Sequence, residues 1–480
     1  MRIPPSENSQ STNGARGSAG TRGNTPALPL QQGHSAQGSG SIEPMETKKI
    51  LVISALGWPF VARVPLELAK LGLQVGIVAP PRSLIRKLTS LHAHFDYSSL
   101  APQSSIQRAI ETWSPDFLIC SDDQAVTNLI QIYRRASQAG DSPRMRRLVN
   151  LIECSLGNAD CFSTALVMSA FVSLAQSLGV RCPKTNVVDS NQALVARLHD
   201  INYPILLKAD GSHGGRGVRF VGSESEVLPA ASELLLPITW PAPLKSAMAG
   251  RVLFSLFGRY FRWPRNVCLQ EHILGRPANR ALVCWKGNVL AGISVEVLQT
   301  SYEFGPASVV KTIDHPEMRR AAETMVKHLG LSGFVGFDFV LDCENRAWLL
   351  EINARVTPIA HFNVDQGNLS TAMFEQLTGT KPLEEPRRIR ETTIALFPQE
   401  LARSACSDYL PSSYHDVPWD EPQFVMHCLD WALRRGFVNR IRKTQATSRD
   451  LQLKKRMHAT SCDRSSAGNV RTPSGRRRLR

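Results

Sequence analysis

Two carboxylates and an amide stand at a spacing that suits a hard cation. Asp338 lies within Gly333-Phe334-Val335-Gly336-Phe337-Asp338-Phe339-Val340-Leu341, and Glu351 and Asn353 lie within Trp348-Leu349-Leu350-Glu351-Ile352-Asn353-Ala354-Arg355. Both stretches alternate with the period of a strand, so positions 351 and 353 project the same way. If the two strands pair as a hairpin, Asp338, Glu351 and Asn353 share one face. Their oxygens form the donor set that Mg2+ (or Mn2+ in its place) takes when it bridges phosphates. Like charges set among Phe337, Phe339, Leu349, Leu350 and Ile352 repel, which makes the arrangement costly without a cation. A solvated hairpin face is the competing explanation, and these apolar flanks oppose it.

Two further segments add phosphate and base chemistry, each weak alone. In Leu206-Leu207-Lys208-Ala209-Asp210-Gly211-Ser212-His213-Gly214-Gly215-Arg216-Gly217 a strand delivers a lysine into a glycine-rich turn. Four glycines allow backbone N–H groups to approach phosphate oxygens, and Lys208 adds a point charge. No Gly-Lys-Ser/Thr follows, so this is not a Walker loop. The turn of an ordinary hairpin would read the same. Cys268-Leu269-Gln270-Glu271-His272-Ile273-Leu274-Gly275 is a strand entering a linker, where the backbone of Glu271 and Ile273 could meet an adenine edge. An edge strand ending in a glycine turn is the plainer alternative.

The elements that must position these residues follow from periodicity. Residues 48–55, helical residues 61–71 and the strand 74–79 make a βαβ rhythm that argues for a parallel sheet. The loop between them lacks G-x-G-x-x-G, so a nicotinamide or flavin fingerprint is absent. A strand at 117–120 ends in Ser121-Asp122-Asp123, where acids either face a ligand or cap the next helix. Residues 166–178 and 191–198 read as helices, and 185–188, 204–208 and 218–221 as strands. Strands then dominate at 267–271, 280–285, 289–297, 336–341 and 347–352, with a helix at 316–329. Residues 246–265 make an amphipathic helix, Leu253, Leu256, Phe257, Tyr260 and Phe261 against Arg251, Arg259, Arg262 and Arg265. It suits packing on its own domain, or weak contact with an anionic membrane.

Composition bounds the rest. At 480 residues the chain exceeds one core and suggests two or three domains. Thirteen Lys and Arg against two acids from Arg440 to Arg480 supply +11 of the formal +15. The body is therefore not built as a nucleic-acid-binding surface, and the tail reads as solvated disorder with some affinity for polyanions. Ten cysteines without a CxxC pair argue against a zinc site and suit a reducing, cytoplasmic setting. Residues 1–44 read as a disordered leader before Met45.

The ordered set Lys208, glycine-rich turn, Gln270-Glu271-x-Ile273-x-Gly275, Asp338 and Glu351-x-Asn353-x-Arg355 resembles the ATP-grasp superfamily, over roughly residues 48–395. Its Glu-x-Asn-x-Arg run is similar to the carboxylate–amine ligases and to biotin-carboxylase-like members. The resemblance implies a mixed α/β and α+β architecture. A parallel-sheet pre-ATP-grasp domain at 45–150 would precede a two-lobed ATP-grasp domain at 151–395, with a helical insert near 223–265 and a C-terminal extension at 396–439. It implies that Lys208 and the turn Gly211, Ser212, Gly214, Gly215 and Gly217 hold ATP phosphates, and that Glu271 and Ile273 bind adenine. Asp338, Glu351 and Asn353 would ligate Mg2+. Arg355 would stabilise transferred phosphate or substrate, and Arg280 would contact phosphate or acyl phosphate. The activity implied is ATP-dependent activation of a small-molecule or peptide carboxylate as an acyl phosphate, for attack by an amine or thiol.

Two positions depart from the family pattern. Phe162-Ser163-Thr164-Ala165 stands where another phosphate-binding lysine is usual, and Pro277-Ala278-Asn279 where a ribose-binding acid is usual. A lost charge-assisted contact costs about 1.5–3 kcal/mol, roughly ten- to hundredfold in affinity. A non-catalytic nucleotide-binding scaffold, and a membrane- or polyanion-associated protein acting through the basic helix and tail, are the alternative functions. Asp122, His361 and Asp365 are candidates for the acceptor pocket. The residues leave the substrates and the oligomeric state open.

Overall fold

The structure, a computed structural model, describes residues 47–188, 191–197, 202–209, 217–235, 267–302, 305–384 and 386–436. The expected helix at 246–265, most of the glycine-rich turn, the leader and the basic tail lie outside the described residues. The described part belongs to one compact unit.

Three sheets organise it. The first is parallel, in the order β3-β2-β1-β4, from β1 (Lys49–Ile53), β2 (Gln74–Ala79), β3 (Ala93–Asp96) and β4 (Phe117–Cys120). Every residue of β4 and all but the first of β1 are buried, as parallel strands covered on both faces must be. Helices α1 (Arg63–Lys70), α2 (Pro102–Trp113), α3 (Asp123–Gln138) and α4 (Pro143–Leu156) accompany it. The helix expected over 166–178 is α6 (Met168–Ser177), and the extended Val167 separates it from the short α5 (Phe162–Leu166). No single helix among the described residues is long and apolar enough to cross a membrane.

The second sheet is small and antiparallel, ordered β5-β8-β6-β7, from β5 (Thr185–Val188), β6 (Ile205–Ala209), β7 (Val218–Val221) and β8 (Val267–Glu271). Leu194 of α7 (Asn191–Arg197) and Val227 of α8 (Glu224–Leu235) close its core on Ile205, Leu207 and Leu269.

The third sheet has seven strands, ordered β13-β12-β9-β10-β11-β16-β17. They are β9 (Arg276–Trp285), β10 (Asn288–Thr300), β11 (Ala307–Thr312), β12 (Gly333–Leu341), β13 (Ala347–Asn353), β16 (Thr393–Ala395) and β17 (Tyr414–His415). A two-stranded ribbon, β14 (Asn363–Val364) and β15 (Gly367–Asn368), precedes α10 (Leu369–Thr378). Met318, Ala322 and Met325 of α9 (Pro316–Leu329) pack with Phe337 and Phe339 on one face of the large sheet. The other face packs with α10.

After β16 the chain returns to the N-terminal sheet. Glu421, 1% exposed, accepts hydrogen bonds from Thr89 N (2.8 Å), Thr89 Oγ1 (2.9 Å) and Ser90 N (2.7 Å). Burial alone would raise its pKa, but these donors outweigh it and hold it below its ordinary value of 4.5. A depressed carboxylate pKa gives stability that is present above the ordinary value and drains as pH falls below it. Glu421→Ala strands those donors and should lower stability by about 1–3 kcal/mol at neutral pH. Unfolding midpoints measured from pH 3 to 7 check this. The gap between wild type and variant should shrink below pH 4.5, and a constant gap would exclude the carboxylate as its source.

Candidate active site

The hairpin forms, with a register shift between Phe339 and Asp338 that leaves Leu350 unpaired. In β12 and β13, Asp338 lies opposite Glu351 and Gly336 opposite Asn353. On its other side β12 pairs with β9, which places Asn279 opposite Asp338. Asp338 accepts hydrogen bonds from Asn279 Nδ2 (2.6 Å) and Asn353 Nδ2 (3.2 Å). Asp338, Glu351, Asn353 and Asn279 are all half-buried and so remain open to an incoming ion. Burial, followed by the facing Glu351 carboxylate, raises the Asp338 pKa to about 7. Asn279 belongs to this cluster, a role that its place in the ribose-acid position had hidden. No local signal marked it, because only the register of β9 against β12 joins its parity to that of Asp338.

Arg355 ties the cluster to the N-terminal sheet. Its Nη2 donates to Asn353 Oδ1 (2.8 Å), its Nε lies 2.9 Å from Asp123 Oδ2, and its guanidinium stands 5.5 Å from the ring centre of Trp58. The next residue, Val356, donates its N–H to the Cys120 carbonyl at the end of β4 (3.0 Å). Thr357 then packs on Gly336, where a Cβ would come within 2.3 Å of Thr357 Cγ2. Glycine is therefore needed for this loop to lie against β12.

The two acids after β4 divide the alternatives raised by the sequence. Asp122 is fully buried, caps α3 through Ala125 N (2.9 Å) and accepts from Ala55 N (2.8 Å) and Leu56 N (3.0 Å). It is a structural latch for the loop that carries Trp58 and does not face an acceptor pocket. Asp123 beside it reaches the Arg355 guanidinium instead.

Other candidates need correction. Arg280 does not share the face of Asp338. It neighbours Asn279 in β9 and so points the opposite way. There it pairs across from Phe337, donates to Ser294 Oγ (2.8 Å) and is 5% exposed. Burial, and then Arg319 of α9, lower its pKa to about 10. Arg280 therefore buttresses the back of the sheet. His361 is half-buried, with Nε2 3.1 Å from Asp416 Oδ2, and Asp365 makes an exposed ion pair with Arg388.

Lys208 is 6% exposed and sits in β6 between Val218 of β7 and Cys268 of β8. Among the turn residues, Gly211, Ser212, Gly214 and Gly215 lie outside the described residues. The Gly217 carbonyl accepts from Ala209 N at 3.0 Å. Glu271 spends its N–H on the Lys184 carbonyl (2.9 Å) and its carboxylate on Lys184 N (3.2 Å). Of the two linker amides, only Ile273 keeps an N–H without a backbone partner among the described residues. An adenine edge would therefore draw its donor from Ile273.

The donor set fits a hard divalent cation. It comprises two carboxylates and amide oxygens, and the repulsion at Asp338 is what a cation would relieve. Among the described residues no three His, Cys, Asp or Glu side chains cluster.

Comparison with known proteins bears on the domain that holds these residues. Residues 168–361 match the family described as carbamoyl-phosphate synthase L chain, ATP binding domain. The multifunctional protein pyr-3 of Neurospora crassa is 24% identical over 195 residues, which are 39% of this chain and 9% of that protein. The chain thus spans only about a tenth of the length of that curated relative. Among solved structures, an N5-carboxyaminoimidazole synthase from Aspergillus clavatus superposes with a TM-score of 0.51 at 15% identity, covering 72% of this chain and 81% of that one. A biotin carboxylase from Campylobacter jejuni gives 0.50 at 17% identity, covering 72% and 73%. Sequence motifs and family match agree that residues 168–361, less than half of the chain, carry an ATP-grasp domain.

Proposed function

We propose that this chain binds Mg-ATP between its small and large antiparallel sheets and uses it to phosphorylate a carboxylate. The observation that carries the reading is the convergence of Asp338, Glu351, Asn353 and Asn279 on one open face, with Arg355 beside them. Asp338, Glu351 and the Asn353 oxygen would hold Mg2+, which when bound neutralises phosphate charge. Lys208 would face the phosphates from β6, and Ile273 N–H the base. A substrate carboxylate oxygen would attack the γ-phosphorus as the bond to ADP breaks. An amine would then attack the acyl carbon, expelling phosphate and losing a proton. Arg355 keeps N–H groups beyond those bonded to Asn353 and the Val356 carbonyl, and these would meet the developing charge.

Calorimetric titration of ATP into the full chain, with and without Mg2+, tests the reading. Wild type should bind in a magnesium-dependent way, and Glu351→Ala should lose about tenfold or more in affinity. No binding by wild type at millimolar ATP would end the proposal. Binding without phosphate release across a panel of carboxylates and amines would favour a nucleotide-binding scaffold.

A further inference from the structure

We infer that Asp123, the first residue of α3 just after β4, is a positioning residue that sets the magnesium affinity of the large-sheet site by holding Arg355. The inference rests on the Mg-ATP reading above and adds a residue outside the segment 168–361 that carries the family match.

A connected path supports it. Asp123 contacts Arg355 at 2.9 Å, with side chains 14% and 11% exposed. Arg355 donates to Asn353 Oδ1 (2.8 Å), and Asn353 Nδ2 donates to Asp338 Oδ2 (3.2 Å). The guanidinium also stands 5.5 Å from the ring centre of Trp58, whose loop is latched by Asp122, the residue next to Asp123. The Val356–Cys120 backbone bond fixes the separation of β4 and the Arg355 loop. Arg355 is thus held by two groups beside the N-terminal sheet, Asp123 at the start of α3 and Trp58 in the loop after β1, while it orients an amide of the metal cluster.

Losing the Asp123 charge has two effects of the same sign. The guanidinium is freed to move, so Asn353 Oδ1 is less firmly placed. Its positive charge is also no longer offset, and it opposes a cation bound beside Asp338. Both weaken Mg2+. A looser, uncompensated guanidinium does not weaken, and can strengthen, binding of the nucleotide anion alone. An ion pair that merely stiffens the fold would instead weaken both forms together.

The experiment is a titration of Mg2+ into the full chain with a non-hydrolysable ATP analogue, followed by calorimetry, alongside the same analogue in EDTA. For Asp123→Asn the Mg2+ needed for half-saturation should rise about fivefold or more, a usual size for coupling between sites. Affinity in EDTA should stay the same or increase. Asp123→Glu, which restores the charge, should recover most of the loss. In an Arg355→Met background Asp123→Asn should add nothing, because the two residues act along one path. Equal weakening with and without Mg2+, or a shift that persists in Arg355→Met, would overturn the inference. A wild type that binds and an Asp123→Asn protein that matches it would overturn this inference alone. A wild type that binds no Mg-nucleotide would overturn the underlying reading, and this one with it.

Discussion

Asp338→Asn should make the free protein more stable at neutral pH while removing its response to Mg-ATP. Asp338 faces Glu351 in a half-buried site, and burial with that facing charge raises its pKa to about 7. A raised carboxylate pKa means that the folded protein binds the proton more tightly than the unfolded chain. The group therefore favours folding at acid pH, and that contribution is lost as pH rises from the ordinary value of 3.8 toward 7. An amide of the same shape has no charge to suffer from this repulsion. It can accept from Asn279 or Asn353 and donate to Glu351. The gain at pH 7 should be on the order of 1–3 kcal/mol, and it should vanish near pH 4. Thermal melts with and without Mg-ATP check both halves. Wild type should melt lower and rise with Mg-ATP; the variant should melt higher and stay there. A variant that melts lower at neutral pH would show that the carboxylate is already compensated.

Arg63→Met should be among the most damaging single changes outside the site. Arg63 is 4% exposed in α1, donates to the Phe397 carbonyl (2.9 Å) and lies 3.6 Å from Asp416 Oδ2. Its guanidinium also stands over Phe397 and Phe424. Burial alone would raise the Asp416 pKa, but Arg63, then His361 and the Phe397 N–H, hold it below its ordinary value. Removing Arg63 leaves a buried carboxylate without its main counter-charge, a loss of about 3–5 kcal/mol. Arg63→Met with Asp416→Leu should recover much of that loss, because two apolar groups replace the pair. Urea unfolding of both variants decides. A single variant within 1 kcal/mol of wild type, a threshold below the usual cost of breaking a buried pair, would mean that His361 suffices for Asp416.

The hairpin was legible because its information is local. Period-two alternation in 333–341 and 347–353 marks both strands and puts Glu351 and Asn353 on one face. The pairing of Asp338 with Glu351 also needs the register shift after Leu349, without which Leu350 would stand opposite Asp338. What alternation cannot supply is which parity of a distant strand joins that face. Asn279 and Arg280 are adjacent in β9, and only the long-range register of β9 against β12 assigns the first to the cluster and the second to the back. The family resemblance offered Arg280 as a phosphate contact, and its place opposite Phe337 sets it on the back of the sheet instead. The same limit applied to Asp122 and Asp123, where a buried cap and an ion-pair partner differ by one residue. β3 was missed because Ala93-His94-Phe95-Asp96 is short and has no apolar run. The return of the C-terminal extension, through Asp416 and Glu421, depends on partners more than 300 residues away and has no local signature.

That return has a practical meaning for anyone cutting the gene. Recognition by homology marks residues 168–361, yet the large sheet takes β16 and β17 from beyond residue 390, and its hydrophobic cluster includes Ile50, Val52 and Leu68 from the start and Phe424 and Cys428 from the end. A clone trimmed to the recognisable segment would leave open sheet edges and bare apolar faces, and should be recovered as aggregate. Homology and foldability draw different boundaries here, and an expression screen should begin from the second.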